Sequence, residues 1–377
     1  MKYVPYFMRD VHEASSRARF TFASGFTGIG GADIGWSLAG GRHAFGVEND
    51  AEAVRTFKRN FPHALIEHSD FRHVAASPEI VDRLLRQARL ARDGLDVFHC
   101  SPPCNEFSKV GPGQQPGGTA DMILDVVKMT HLMRPRVLVI ENVPELRNRG
   151  RAYLDAAFAR LHTDDQGRRA YYANTMVLSA DDFGVPQRRQ RLFVIAVRAD
   201  VAEAAGVRSD ADVLWTFPPP THQPITLGDA LVGLVQSETD LFPFRRAMMT
   251  SGSLVALSRK LPHDPERWIT ARKVGLGTYR FATVRASMNL PSPTLTAMGQ
   301  QPTGSNGVLH PTEHRKLTLP EIRRFSGFPE DTQFTGTLAQ AVTRIGMSVP
   351  PLVTKAIGDM LYDRVLRRAI EGAQAAA

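Results

Sequence analysis

The 377-residue chain has few cysteines, no extended apolar run and no continuous apolar core in its first twenty residues, and each shortage argues against a class of protein. Two cysteines, Cys100 and Cys104, cannot build a disulfide framework or a four-cysteine zinc site, and no metal site is expected. No stretch approaches the roughly 18 uncharged apolar residues of a membrane span. The first twenty residues are interrupted by charges where a signal peptide needs a continuous apolar core. The expectation is a soluble, cytoplasmic protein. What the chain does have is 43% hydrophobic residues, enough for a sizeable core. Its length fits two or three domain-sized units, or one large domain with an insertion.

The net charge of +8 comes from 46 Lys and Arg against 38 Asp and Glu, and its distribution is uneven. Residues 200–240 hold seven acidic side chains and one basic one, Arg208. Residues 241–285 hold nine basic side chains against Asp264 and Glu266, a net +7 that is almost the whole excess. A solvated basic surface and a phosphate-contacting module are the two readings of that window.

Over the first 200 residues, short β-rich runs alternate with helical patterns, which predicts an α/β fold on a mainly parallel sheet. Strands are expected at 19–24, 43–48, 96–100, 136–140, 172–178 and 192–197, the last two adjacent. Helices are expected at 31–39, 51–60, 122–133 and 153–161. Texture changes after Arg198: Pro218, Pro219 and Pro220, scattered glycines and weak periodicity mark an insertion to about residue 285. After Pro351, apolar residues at i, i+4 spacing predict an amphipathic helix over 352–369.

Three places carry chemistry. The run Phe26-Thr27-Gly28-Ile29-Gly30-Gly31 follows a strand and opens a helix, where glycine lets the backbone approach a ligand and helix N–H groups are free. Glu48 closes the next strand about 20 residues on, the spacing at which a carboxylate bonds both hydroxyls of a ribose. Asp70 follows a further expected strand at Leu65-Ile66, from where it could contact an adenine amino group. Cys104 lies just past a strand behind Pro102 and Pro103, where a thiolate can be presented. A buried free cysteine is the alternative, and Cys100, inside the strand, fits it. Glu141 ends the apolar strand 136–140, as a reactive carboxylate or a strand-end cap. Arg188, Arg189 and Arg191 stand at the entrance of strand 192–197, as a solvated edge or as a grip on a polar substrate; alternation could aim Arg189 and Arg191 to one face.

In this order the segments FTGIGGADIG, VEND, SPPCNEFS, ENVPEL, GVPQRRQRLFVIAV, LPSPTLTA, LTLPEIRRFSGFPE and RIGMSVPPLVTKAIG resemble the cytosine-5 DNA methyltransferases. The resemblance covers most of the chain except about 1–18 and 236–280. It implies a Rossmann-like, S-adenosylmethionine-dependent methyltransferase domain over 1–235 and 281–377, completed by the C-terminal helix, with a target-recognition region at 236–280. Carried over by position, Cys104 matches the nucleophile, Glu141 the acid on the cytosine ring, and Arg189 and Arg191 the arginines around a flipped base. Phe26, Gly28, Ile29, Gly30, Gly31, Glu48, Asn49, Asp70, Phe71, Pro102, Met347, Ser348 and Val349 match the cofactor-binding positions. The implied partner is double-stranded DNA, bound by a monomer, with a separate cognate restriction endonuclease as a candidate companion.

Three positions depart from the family's pattern. Asn105 stands where Gln is common, Asn49 where an aromatic often covers the adenine, and Met347 where an Asn lies near the methionine part of the cofactor. Loss of that amide would weaken cofactor binding or alter which sulfonium compound is accepted. Two rival readings are a tRNA cytosine-5 methyltransferase and a catalytically silent DNA-binding protein of the same fold. The RNA branch carries a Cys-Phe-Thr signature in its recognition region, and this chain has no cysteine beyond residue 104.

Overall fold

The computed structural model describes residues 2–103, 118–241, 243, 258–275, 283–297 and 307–375. The chain divides into two compact units, one of Arg9–Leu178, Gln190–Pro219 and Thr354–Ala377, the other of Met1–Met8, Ser179–Arg189 and Pro220–Val353. Among the described residues no helix is long and apolar enough to cross a membrane.

The first unit is built on a seven-stranded sheet: β1 Phe20–Gly25, β2 Gly41–Glu48, β3 Ile66–His68, β4 Val97–Cys100, β5 Val137–Asn142, β6 Tyr171–Ser179 and β7 Gln190–Arg198. Their spatial order is β3-β2-β1-β4-β5-β7-β6. The pairs β2–β3, β1–β2, β1–β4 and β4–β5 are parallel, whereas β5 and β7 run antiparallel. This is the expected α/β fold, with β6 and β7 side by side.

Continuous apolar strands such as β5, buried along their whole length, suit a sheet covered on both faces. The helix Met122–Met133 spans the residues its periodicity predicts. Asp50 caps the helix Ala51–Asn60 by accepting from the N–H groups of Glu52 and Ala53. The order of strands reverses beside β1 and β4, so the loops after them open at the carboxyl edge where α/β sheets bind ligands.

The C-terminal helix departs from expectation. It runs as an α-helix over Pro351–Leu361, widens into a π-helical turn at Tyr362–Leu366, and resumes at Arg367–Ala375. In the widened turn the consecutive residues Val365 and Leu366 are both buried. Arg364 lies over the Trp215 ring, 4.7 Å from its centroid.

The second unit holds a three-stranded sheet of β8 Ile269–Thr270, β9 Val284–Arg285 and β10 Val308–Leu309, with helices Leu319–Phe325 and Leu338–Met347. Its interior is organised by buried arginines. Arg285 is fully buried and donates to the carbonyls of Ser258, His310 and Glu313, and burial pushes its guanidinium down to about 10. Arg315 meets both Glu321 carboxylate oxygens at 2.8 Å, and Glu321 also closes a capping box with Thr318. The Arg315–Glu321 pair is tolerated at this depth because Arg315 also donates to Glu313 and to the Lys316 carbonyl.

Packing is close where β1 ends. A Cβ on Gly25 would come within 2.4 Å of the Phe71 ring and 2.7 Å of Cys100 Sγ. Gly25→Ala is expected to lower stability by about 1–3 kcal/mol through overpacking. Gly372→Ala, in a helix with open space around the added methyl, is expected to be neutral or slightly stabilising. Thermal melting of the two variants checks the contrast; equal melting temperatures would mean that the Gly25 contact relaxes freely.

Candidate active site

The turn after β1 is left-handed at three of five residues, with φ of 57° at Phe26, 59° at Gly28 and 86° at Gly30. Glycine adopts such angles without strain, but Phe26 does not, so its conformation needs support. Part of that support is Glu48 at the end of β2. One carboxylate oxygen accepts the Gly28 N–H at 2.7 Å, and the other accepts from Asn49 and Asp50 at 2.9 and 2.8 Å. The acid and the glycine turn, expected from spacing, are therefore joined.

Beside them lies a cavity of about 300 Å³ lined in part by Phe26, Glu48, Asn49, Asp70, Phe71 and Pro103. Phe26 and Phe71 stack with centroids 4.4 Å apart. Asp70 caps the helix Phe71–Ala76 by accepting the Arg72 N–H at 2.7 Å. The cavity thus offers apolar rings, two carboxylates and backbone at a turn, a donor set that fits an adenosine: rings for the base, acids for its hydroxyls and amino group. Gly28, Ile29, Gly30, Gly31 and Pro102 are not among its lining residues; Ile29 and Gly31 are buried. Sequence reasoning passed over Val47, Ser69, Arg72, Thr119 and Met122, which do line it. Ser69 and Arg72 flank the expected Asp70 and Phe71, which was the available signal.

Two strands away, Glu141 at the end of β5 meets Arg191 near the start of β7, with Oε1 and Nε 3.0 Å apart and both side chains largely buried. The next residue, Asn142, donates its side-chain amide to the Pro102 carbonyl at 3.1 Å. That contact ties β5 to the segment leading to Cys104, and its only sequence signal was adjacency to Glu141. Cys104 itself, Asn105 and most of the glycine-rich stretch 111–118 lie outside the described residues. Cys100 is fully buried in β4, and burial pushes its thiol well above the usual range. It has the character of a core residue.

Arg189 belongs to the second unit and is buried, donating to the Leu295 carbonyl at 3.0 Å. Strand β7 begins at Gln190, so the alternation expected for the pair does not extend to Arg189. Arg188 is anchored by Asp181 at 2.9 Å and lies 5.6 Å from the Trp268 ring centroid. Met347 ends the helix Leu338–Met347 and is 69% exposed; Ser348 caps that helix and Val349 is buried. Of the basic window, Arg259, Lys260, Arg267, Arg272, Lys273 and Arg285 are described; the first five are exposed, whereas Arg285 is buried.

Comparison with known proteins bears on these features together. The chain is similar to the Type II methyltransferase M1.HphI of Haemophilus parahaemolyticus, 28% identical over 353 residues that cover 90% of this chain and 86% of that protein. It is also similar to M.Eco47II of Escherichia coli, 28% identical over 367 residues covering 93% and 81%. Among solved structures, a protein described as a DNA modification methyltransferase encoded within an E. coli prophage shares the fold with a TM-score of 0.67 at 21% identity, over 92% of this chain and 99% of that one. A triple mutant of Spodoptera frugiperda DNMT2 shares it with a TM-score of 0.60 at 15% identity, over 91% and 99%. The profile of the C-5 cytosine-specific DNA methylases matches residues 20–363. The chain therefore belongs to the C-5 cytosine-specific DNA methylase family and is a DNA (cytosine-5) methyltransferase that uses S-adenosylmethionine.

Proposed function

We propose that the chain is the modification enzyme of a Type II restriction-modification system, acting as a monomer on double-stranded DNA beside a cognate endonuclease. In this reading Cys104 is the nucleophile, Glu141 and Arg191 hold the cytosine, and Arg189 assists at the flipped base. The observation that carries it is the Glu141–Arg191 pair, with Asn142 holding the Pro102 carbonyl two residues before Cys104.

The chemistry follows from those groups. Carbon 5 of cytosine is a weak nucleophile, and it is hidden in the duplex, so the base is first extruded at a cost of a few kcal/mol. The Cys104 thiolate then adds to carbon 6, which breaks the ring's aromaticity and places enamine character on carbon 5. Glu141 holds a proton at ring nitrogen 3 and so stabilises the charge that the addition creates. Arg191, ion-paired to that carboxylate, supports its orientation, and in this reading it bonds the ring carbonyl. S-adenosylmethionine, when bound, supplies an electrophilic methyl group. Loss of the carbon-5 proton to a base, with scission of the carbon–sulfur bond, restores the aromatic ring and the free thiolate.

In the same reading Phe26, Phe71, Glu48 and Asp70 hold the adenosine of the cofactor, with Gly28, Ile29, Gly30, Gly31, Asn49 and Pro102 shaping the surround. Met347, Ser348 and Val349 belong at its amino-acid end. Residues 236–280 form the target-recognition region, and its exposed arginines and lysines contact phosphates.

Three measurements test these assignments. An oligonucleotide carrying 5-fluorocytosine should trap a covalent adduct with the wild type and none with Cys104→Ala, because fluorine cannot leave as a cation; an adduct on Cys100 would overturn the choice of nucleophile. Replacing Arg272 and Lys273 by Glu should reduce the slope of log K against log salt by about 2, two lost phosphate contacts at about 0.9 each. A wild-type slope in that double variant would remove the region from the phosphate contacts. Met347→Asn should tighten cofactor binding by about 0.5–1.5 kcal/mol, the worth of one hydrogen bond, read by titration calorimetry. Equal affinities would show that the thioether is neutral there.

A further inference from the structure

The left-handed turn Phe26–Gly30 is held from below as well as by Glu48. Thr27 donates its backbone N–H to the Val47 carbonyl at 3.1 Å, and its carbonyl accepts from Gly30 at 3.0 Å. Its hydroxyl lies 3.0 Å from Ser24 Oγ, 3.2 Å from the Val47 carbonyl and 3.3 Å from the Ser24 carbonyl. Ser24 in turn donates to Asp33 Oδ1 at 2.7 Å. Asp33, in the first turn of the helix Gly31–Leu38, is fully buried.

Two features separate this chain of groups from ordinary packing. Among the described residues Asp33 pairs with no lysine or arginine; its nearest basic group is His43 Nε2 at 3.2 Å. A buried carboxylate without a strong cation is costly and persists where its hydrogen bonds are needed. The second feature is room made for the hydroxyls. A Cβ on Gly46 of β2 would sit 2.7 Å from Thr27 Oγ1 and 3.3 Å from Ser24 Oγ. The direction of the first link is also fixed: a carboxylate only accepts, so the Ser24 proton points to Asp33, and the single Thr27 hydroxyl proton is left for Ser24 Oγ and the carbonyls of Ser24 and Val47.

We propose that Asp33 is a positioning residue for the cofactor: through Ser24 and Thr27 it locks the turn Phe26–Gly30 in the left-handed conformation that sets Phe26 in the cavity wall, without itself touching the ligand. The inference rests on the reading of that turn as the cofactor's seat. It assigns a role to three residues that lie outside the cavity lining and outside the motif's glycines.

The test is titration calorimetry of the full chain with S-adenosylhomocysteine, joined to steady-state kinetics with S-adenosylmethionine. Thr27→Val keeps the shape and removes the hydroxyl; it should raise both Kd and KM for the cofactor by about tenfold and leave kcat within about twofold. Thr27→Ser restores the hydroxyl and should restore both constants. Ser24→Ala and Asp33→Asn should each weaken binding, and the double variant should lose less than the sum, because both break one chain. Thermal melting separates these effects from global unfolding; should Asp33→Asn fail to fold, Thr27→Val against Thr27→Ser still decides. Glu48→Ala serves as the reference for the seat. Wild-type constants in Thr27→Val and Ser24→Ala, with weakened binding in Glu48→Ala, would overturn the role of Asp33 alone. Wild-type constants in all of them, Glu48→Ala included, would overturn the seat and the inference together.

Discussion

The joint between β1 and β2 depends on one carboxylate receiving three backbone N–H groups. Glu48 accepts from Gly28, Asn49 and Asp50, and so ties the end of β1 to the end of β2. The parallel register, which sets Gly25 opposite Val47, brings those two ends together before any side chain acts. A turn with three left-handed residues exposes N–H groups that need acceptors, and a charged acceptor makes the stronger bonds. The same device recurs along the edge, where Asp50 and Asp70 accept the first free N–H groups of the helices that follow them.

The antiparallel strand contributes a different geometry. In a wholly parallel sheet the end of β5 would lie beside the end of its neighbour. Because β7 runs the other way, its entrance meets the end of β5, with Glu141 opposite Phe193 and Asn142 opposite Leu192. Arg191 thus reaches Glu141 across adjacent strands rather than across a loop, and rigid elements hold the pair.

Much of this was legible from residue order, for identifiable reasons. Apolar periodicity located the helix Met122–Met133, and the spacing from the glycine turn to Glu48 located an acid that does bond that turn. Contacts between distant segments were not legible. By alternation Arg189 could share a face with Arg191, yet it precedes β7 and is buried against the Leu295 carbonyl, 106 residues away. The C-terminal helix reads as unbroken because a π-helical turn leaves the apolar pattern nearly intact, while it turns both Val365 and Leu366 inward. Asn142 carries no periodic signal at all; its importance comes from the Pro102 carbonyl that the fold brings to it.

The burial of Cys100 has a practical corollary. The chain has two thiols, and this one is sealed in β4 beneath Gly25 with its ionisation suppressed. Thiol reagents act on thiolates that they can reach, so native protein cannot be labelled at Cys100. Reaction of a reagent at Cys100 therefore reports unfolding of the sheet around it. That residue is an intrinsic probe whose reactivity reads the integrity of the core.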